Sequence, residues 1–173
     1  LRQDPDTILI GEMRDMETVQ LGLELSETGH LTLASLHTSD AVQTINRVID
    51  IFPHGQQSQI RTQLSFVLEG IISQQLLKLA SGQGRCVALE VLVATHGIRA
   101  NIRDDKIHQI YSAIQTGGKD GMVTMNTSLL DLVMDGKITE DAALASTTRV
   151  DELAELLEMT RIQTKGKKGV RAW

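Results

Sequence analysis

The sequence predicts an α/β protein, a small parallel, doubly wound sheet followed by an all-helical carboxyl-terminal region. Three observations predict it. Two short aliphatic runs, Ile8–Ile10 and Leu31–Leu36, are each followed by a segment of helical periodicity, the rhythm of parallel strands joined by crossover helices. A third run, Cys86–Val93, has the length and composition of a strand. After Thr95 the texture changes, and short amphipathic stretches separated by glycines take over.

Each element has its own signals. Ile8-Leu9-Ile10 follows a Pro/Asp turn and is apolar throughout, the pattern of a strand buried on both faces. Asp15 is placed to cap a helix that runs to about Glu27 and is closed by Gly29. Leu31-Thr32-Leu33-Ala34-Ser35-Leu36 reads as a second buried strand ending at His37. Thr38, Ser39 and Asp40 then offer capping oxygens to a helix with Val42, Ile45, Val48 and Ile49 on one face. Phe52-Pro53-His54-Gly55 ends that helix. A long helix is expected next, from about Gln56 to Leu79, on the spacing of Ile60, Leu64, Val67, Leu68, Ile71, Ile72 and Leu76. Ser81-Gly82-Gln83-Gly84 is a turn, and Cys86–Val93 the third strand. Helices are then expected at Ile98–Ile102, Ile107–Ile114, Leu129–Met134, Glu140–Ala145 and Asp151 to about Ile162. The expected organisation is an α/β portion over 1–94, a helical region over 95–162 and a basic tail over 163–173. Three strands are fewer than the five or six of an ordinary open sheet. The chain is therefore expected to begin inside a domain.

Composition excludes several classes of function. With 173 residues, 41% of them hydrophobic, the chain can bury a core and is not of disordered composition. No apolar run approaches the ~18 residues of a membrane span. Leu1-Arg2-Gln3-Asp4-Pro5-Asp6 has no charged-then-apolar pattern, so no secretory leader is expected and the protein reads as soluble and cytoplasmic. The single Cys86 excludes an internal disulfide and a four-cysteine zinc site. A net charge of -5 speaks against a general nucleic-acid binder, which needs a clustered basic face. The charge is uneven, because Lys165, Lys167, Lys168 and Arg171 fall at the end of the chain with no acid among them. Such a tail is a solvated end or a contact for anionic lipid or another subunit.

Chemistry is expected beyond the carboxyl ends of the strands, where open α/β sheets bind their ligands. Glu12 and His37 each lie just past a predicted strand, so both would face one crevice. A carboxylate there can hold a metal-bound water or orient an attacking one, and an imidazole can donate to a phosphoryl oxygen. On spacing alone, Glu12 reads equally as a surface loop acid and His37 as a helix-entry residue bonded locally. His30 and His37 stand at opposite ends of a six-residue strand, roughly 20 Å apart at strand rise, and cannot share a zinc ion. No G-x-x-x-x-G-K-[ST] phosphate loop occurs in the 173 residues.

Residues Leu1-Arg2-Gln3-Asp4-Pro5-Asp6-Thr7-Ile8-Leu9-Ile10-Gly11-Glu12-Met13-Arg14-Asp15 resemble the signature of the type II/type IV secretion ATPase superfamily. That signature is L-R-x-x-P-D, three aliphatics, then G-E-[aliphatic]-R-D, and every defined position is filled. Glu27-Thr28-Gly29-His30-Leu31 with Leu36-His37-Thr38 resembles the family's histidine box. Ile72–Leu77 and Gly84–Glu90 resemble the stretch that follows it. Ile98-Arg99, Ile102-Arg103 and His108–Gly117 are similar to the carboxyl-terminal helices of the PilT-type retraction branch, which powers twitching motility.

The resemblance implies a RecA-like hexameric ATPase whose Walker B strand ends in Gly11. Glu12 would then be catalytic, polarising water for attack on the γ-phosphate of ATP and helping to hold Mg²⁺. His37 would lie near that phosphate as a second catalytic residue, with Gly11, Arg14, Asp15 and His30 as nucleotide-site residues. For Arg14 and Asp15 an ion pair or helix cap is as good a reading. The family also implies a homo-hexamer, inner-membrane pilus-base proteins as partners, and a cytoplasmic place at that membrane. Assembly and secretion ATPases usually carry a tetracysteine zinc insertion, whereas here Leu77–Arg85 passes straight into the next strand. The retraction branch carries A-I-R-N-L-I-R-E, and Gly97–Asp104 keeps both Ile-Arg pairs but replaces the first alanine and the central Asn-Leu. The phosphate loop is expected upstream of Leu1, so the chain alone is expected to be inactive. The readings held beside retraction are an assembly or secretion ATPase and a non-catalytic module that builds a hexamer or binds a partner.

Overall fold

The first strand, β1 (Thr7–Ile10), pairs in parallel with β2 (Leu31–Ala34), with Ile10 opposite Ala34. Helix α1 (Met16–Glu27) connects them. Asp15 caps α1 by accepting the N–H of Thr18 at 2.8 Å, and Gly29 takes the left-handed conformation that closes it. Asp40 does the same for α2 (Ala41–Asp50), accepting the Gln43 N–H at 2.7 Å. Pro53 starts α3 (His54–Val67). The computed structural model describes residues 5–169, and side chains as far as Gln163. Leu1–Asp4 of the signature and residues 170–173 of the basic tail lie outside the described residues.

The expected long helix is two elements. Helix α3 stops at Val67, and Gly70–Lys78 is a strand, β3, paired with β4 (Arg85–Val93) through the turn at Leu79–Gly84. Two features end the helix. Gly70 abuts β4, where a Cβ would lie 3.0 Å from the Leu92 carbonyl oxygen. Arg99 takes up the carbonyls at the end of α3, donating to Ser65 at 3.1 Å and Phe66 at 2.6 Å. Within β3 every second residue turns inward, but the inward set mixes Ile71 and Leu77 with Ser73 and Gln75. Those polar residues hide the period of two and leave a chance helical spacing of aliphatics.

Neither strand of the parallel pair is buried on both faces. Leu9 is 77% exposed, and Leu31 and Leu33 are each 50% exposed. Helix α1 lies against the other face, where Gly22 comes close to Ile10. A two-stranded sheet with one helix on it leaves half its side chains outward, whatever their polarity.

The carboxyl-terminal helices are α4 (His96–Arg103), α5 (Ile110–Thr116) after a 3₁₀ turn over Ile107–Gln109, α6 (Met125–Met134), α7 (Glu140–Leu144) and α8 (Val150–Gly169). The backbone of α8 carries Lys165, Lys167 and Lys168 of the expected tail in helical conformation. By packing the chain forms two compact units. One comprises residues up to Ser73 with Val91–Met122; the other comprises Gln74–Glu90 with residues from Val123 onward. This cut differs from the change of texture near residue 95, because α4 and α5 share a core with α1–α3. That core holds Val19, Ile45, Ile49, Ile60, Ile98, Ile102, Ile110 and Ile114. The second unit has its own core, with Leu77, Ala88, Leu129, Leu153 and Leu157.

Gly117, after α5, has no room for a side chain. A Cβ there would sit 2.4 Å from Met122 Cε and 2.9 Å from the Ala113 carbonyl oxygen. Gly117→Ala is expected to destabilise the first unit by about 1–3 kcal/mol, measured as a shift in urea unfolding. Wild-type stability in that variant would contradict the packing.

Candidate functional site

The parallel register decides which residues meet at the carboxyl edge of the sheet. With Ile10 opposite Ala34, the chains leave the strands level, and Gly11 comes out beside Ser35. Two bonds extend the pairing past the strands. Met13 N–H donates to the Ser35 carbonyl at 3.0 Å, and the Ser35 hydroxyl donates to the Gly11 carbonyl. Glu12 sits between these two bonds, and His37 follows Ser35 by two residues.

Both oxygens of Glu12 are engaged. Arg14 Nη2 lies 2.6 Å from Oε2, and His37 Nε2 lies 3.2 Å from Oε1. The Glu12 side chain is 24% exposed, while those of Arg14 and His37 are mostly in solvent. The hydrogen bond from Arg14 holds the Glu12 carboxyl below the ordinary glutamate range. Partial desolvation opposes this, and the charges of Arg14 and His37 reinforce it. Glu12 therefore stays ionised well below neutrality and can accept a hydrogen bond from water or a cation.

The remaining expected residues fall in different places. Gly11 is at the edge, with its carbonyl taken by Ser35. Arg14 makes the ion pair with Glu12, and Asp15 makes the cap of α1, bonded to both N–H and hydroxyl of Thr18. Those bonds hold the Asp15 carboxyl below its usual range. His30 is not brought to this edge. It precedes β2, and its Nδ1 lies 2.9 Å from Thr28 Oγ1 and 3.1 Å from the Leu25 carbonyl, at the carboxyl end of α1. The four residues of β2 separate it from the end where Ser35 and His37 stand. Among the described residues no group of three His, Cys, Asp or Glu side chains could hold a metal ion. Sequence reasoning missed Ser35. The signal was available once the strands were aligned, since the residue opposite the glycine is the one that can bond its carbonyl.

The arrangement defines an α/β protein in which a carboxylate and an imidazole meet beyond parallel strands. The chain belongs to the type II/IV secretion system protein family, whose model matches residues 1–113. It is 50% identical over 143 residues to the type IV pilus retractation ATPase PilT of Pseudomonas aeruginosa, a match covering 83% of this chain and 41% of that one. It is 49% identical over 143 residues to a twitching motility protein of Neisseria gonorrhoeae, covering 83% and 38%. Among solved structures, it is similar to the pilus retraction motor PilT with bound ADP. That match has a TM-score of 0.81 and 46% identity, over 90% of this chain and 43% of the other. The chain thus spans about two fifths of the length of the curated relatives it matches, and its α/β fold is that of the corresponding part of the motor.

The ion pair makes a pH prediction. Because the folded carboxyl of Glu12 titrates below the unfolded one, its contribution to stability is present above the unfolded value. That contribution is lost as pH falls through the folded value. Carbonyl-detected NMR titration is expected to place Glu12 below an ordinary glutamate, and Arg14→Ala to move the midpoint upward. A midpoint unmoved by Arg14→Ala would show that the pair does not form in solution.

Proposed function

We propose that this chain is part of a hexameric motor ATPase that hydrolyses ATP to power retraction of a type IV pilus. In this reading residues 1–94 belong to a RecA-like core and 95–162 to its helical carboxyl-terminal region. The observation that carries it is the 3.2 Å approach of Glu12 to His37 at the edge where α/β proteins bind ligands. The names of the relatives and the filled signature support the rest.

Glu12 orients the water that attacks the γ-phosphate. A carboxylate held below its ordinary range is a poor proton acceptor at neutral pH, so its work is orientation, the main demand of phosphoryl transfer. His37, with Nε2 on Glu12, aligns that carboxylate and faces the phosphate. Arg14 keeps Glu12 charged, and Gly11 offers its carbonyl to the Ser35 hydroxyl. Mg²⁺ neutralises phosphate charge when bound. It takes few protein ligands besides phosphate oxygens and water, which fits a site offering one carboxylate. Assembly as a homo-hexamer at inner-membrane pilus-base proteins, on the cytoplasmic side, follows from the family resemblance. Among the described residues no helix is long and apolar enough to cross a membrane.

One sequence observation favours a second reading for the isolated chain. No phosphate loop occurs in its 173 residues, so alone it would serve as a non-catalytic module that builds a ring or binds a partner. A purified 173-residue chain is expected to release no phosphate from ATP above the blank.

In the full-length protein, Glu12→Gln is expected to lower turnover by at least ~100-fold with ATP affinity kept within a few fold. Turnover at the wild-type rate would refute the role of Glu12.

A further inference from the structure

Ser35 holds both neighbours of Glu12. Its hydroxyl donates to the carbonyl of Gly11, and its carbonyl accepts the N–H of Met13 at 3.0 Å. The second bond survives any side chain at position 35, but the first needs a hydroxyl. Gly11 requires such a hold more than another residue would. It has no side chain, a Cβ there would meet nothing within 4 Å, and a free glycine samples more backbone conformations than any other residue. The bond also ties the loop bearing Glu12 to the stretch bearing His37, two residues further on. We propose that Ser35 is a positioning residue, whose hydroxyl fixes the Gly11 peptide so that the Glu12 carboxylate stays against His37 and aimed at the attacking water. This rests on the reading of Glu12 given above.

Ser35 is exposed and belongs to neither hydrophobic core, so removing its hydroxyl leaves packing intact and disturbs placement. Misplacing a reacting group by about 1 Å can cost on the order of 100-fold in rate. The test compares Ser35→Ala, Ser35→Thr and Glu12→Gln in the full-length protein, with kcat and KM for ATP and the thermal midpoint of each. Ser35→Ala is expected to lower kcat about 10- to 100-fold, with KM within about twofold and the midpoint within about 2 °C. Ser35→Thr is expected to restore most of the rate, because threonine keeps the donor. A wild-type kcat in Ser35→Ala beside an inactive Glu12→Gln would overturn the role of Ser35 alone. So would a loss carried by KM, or one that threonine does not rescue. Full turnover in Glu12→Gln would overturn the reading beneath it and the proposal with it.

Discussion

The alignment of two four-residue strands governs what this chain can do. Ile10 lies opposite Ala34 in parallel, and the meetings of Gly11 with Ser35 and of Glu12 with His37 follow from that. Parallel strands end on the same side, so the residues after them share an edge. A slip of one residue would turn each side chain to the opposite face and separate Gly11 from Ser35. The register is not left to the short sheet alone. Helix α1 comes near Ile10 and Met13 at Gly22, and the Met13–Ser35 bond continues the ladder past the last strand residue.

Electrostatics then assigns the parts. A carboxylate with an arginine on one oxygen and an imidazole on the other has its charge secured and its direction set. This suits a group that steers water toward a phosphorus centre better than one that must take up a proton. The same geometry separates neighbouring residues of the signature by task. Asp15 is spent on the first turn of α1, Arg14 on Glu12, and the Gly11 carbonyl on the Ser35 hydroxyl.

Much of this was readable from residues because the signals were local. Asp15, Gly29 and Asp40 mark helix ends through chemistry confined to three or four residues, and the structure places the caps there. The meeting of Glu12 with His37 was readable because strand ends in parallel sheets converge. The misreadings were non-local. The strand over Gly70–Lys78 looked helical because its inward face carries Ser73 and Gln75 beside two aliphatics, and its identity depends on pairing with β4. The outward exposure of Leu9 and Leu33 depends on what covers the sheet, which their own composition does not report. His30 shares a motif with His37 yet stands at the other end of a strand, since closeness in sequence along an extended chain is distance in space.

The central claim is that Glu12 and His37 together address the terminal phosphate of a nucleotide. A structure of the full-length protein with Mg²⁺ and a non-hydrolysable ATP analogue tests it most directly. The account predicts the γ-phosphate at the carboxyl edge of β1 and β2, with a water in hydrogen-bond reach of Glu12, about 3 Å, and His37 still on that carboxylate. A γ-phosphate bound away from that edge, or Glu12 turned from it toward bulk solvent, would contradict the account.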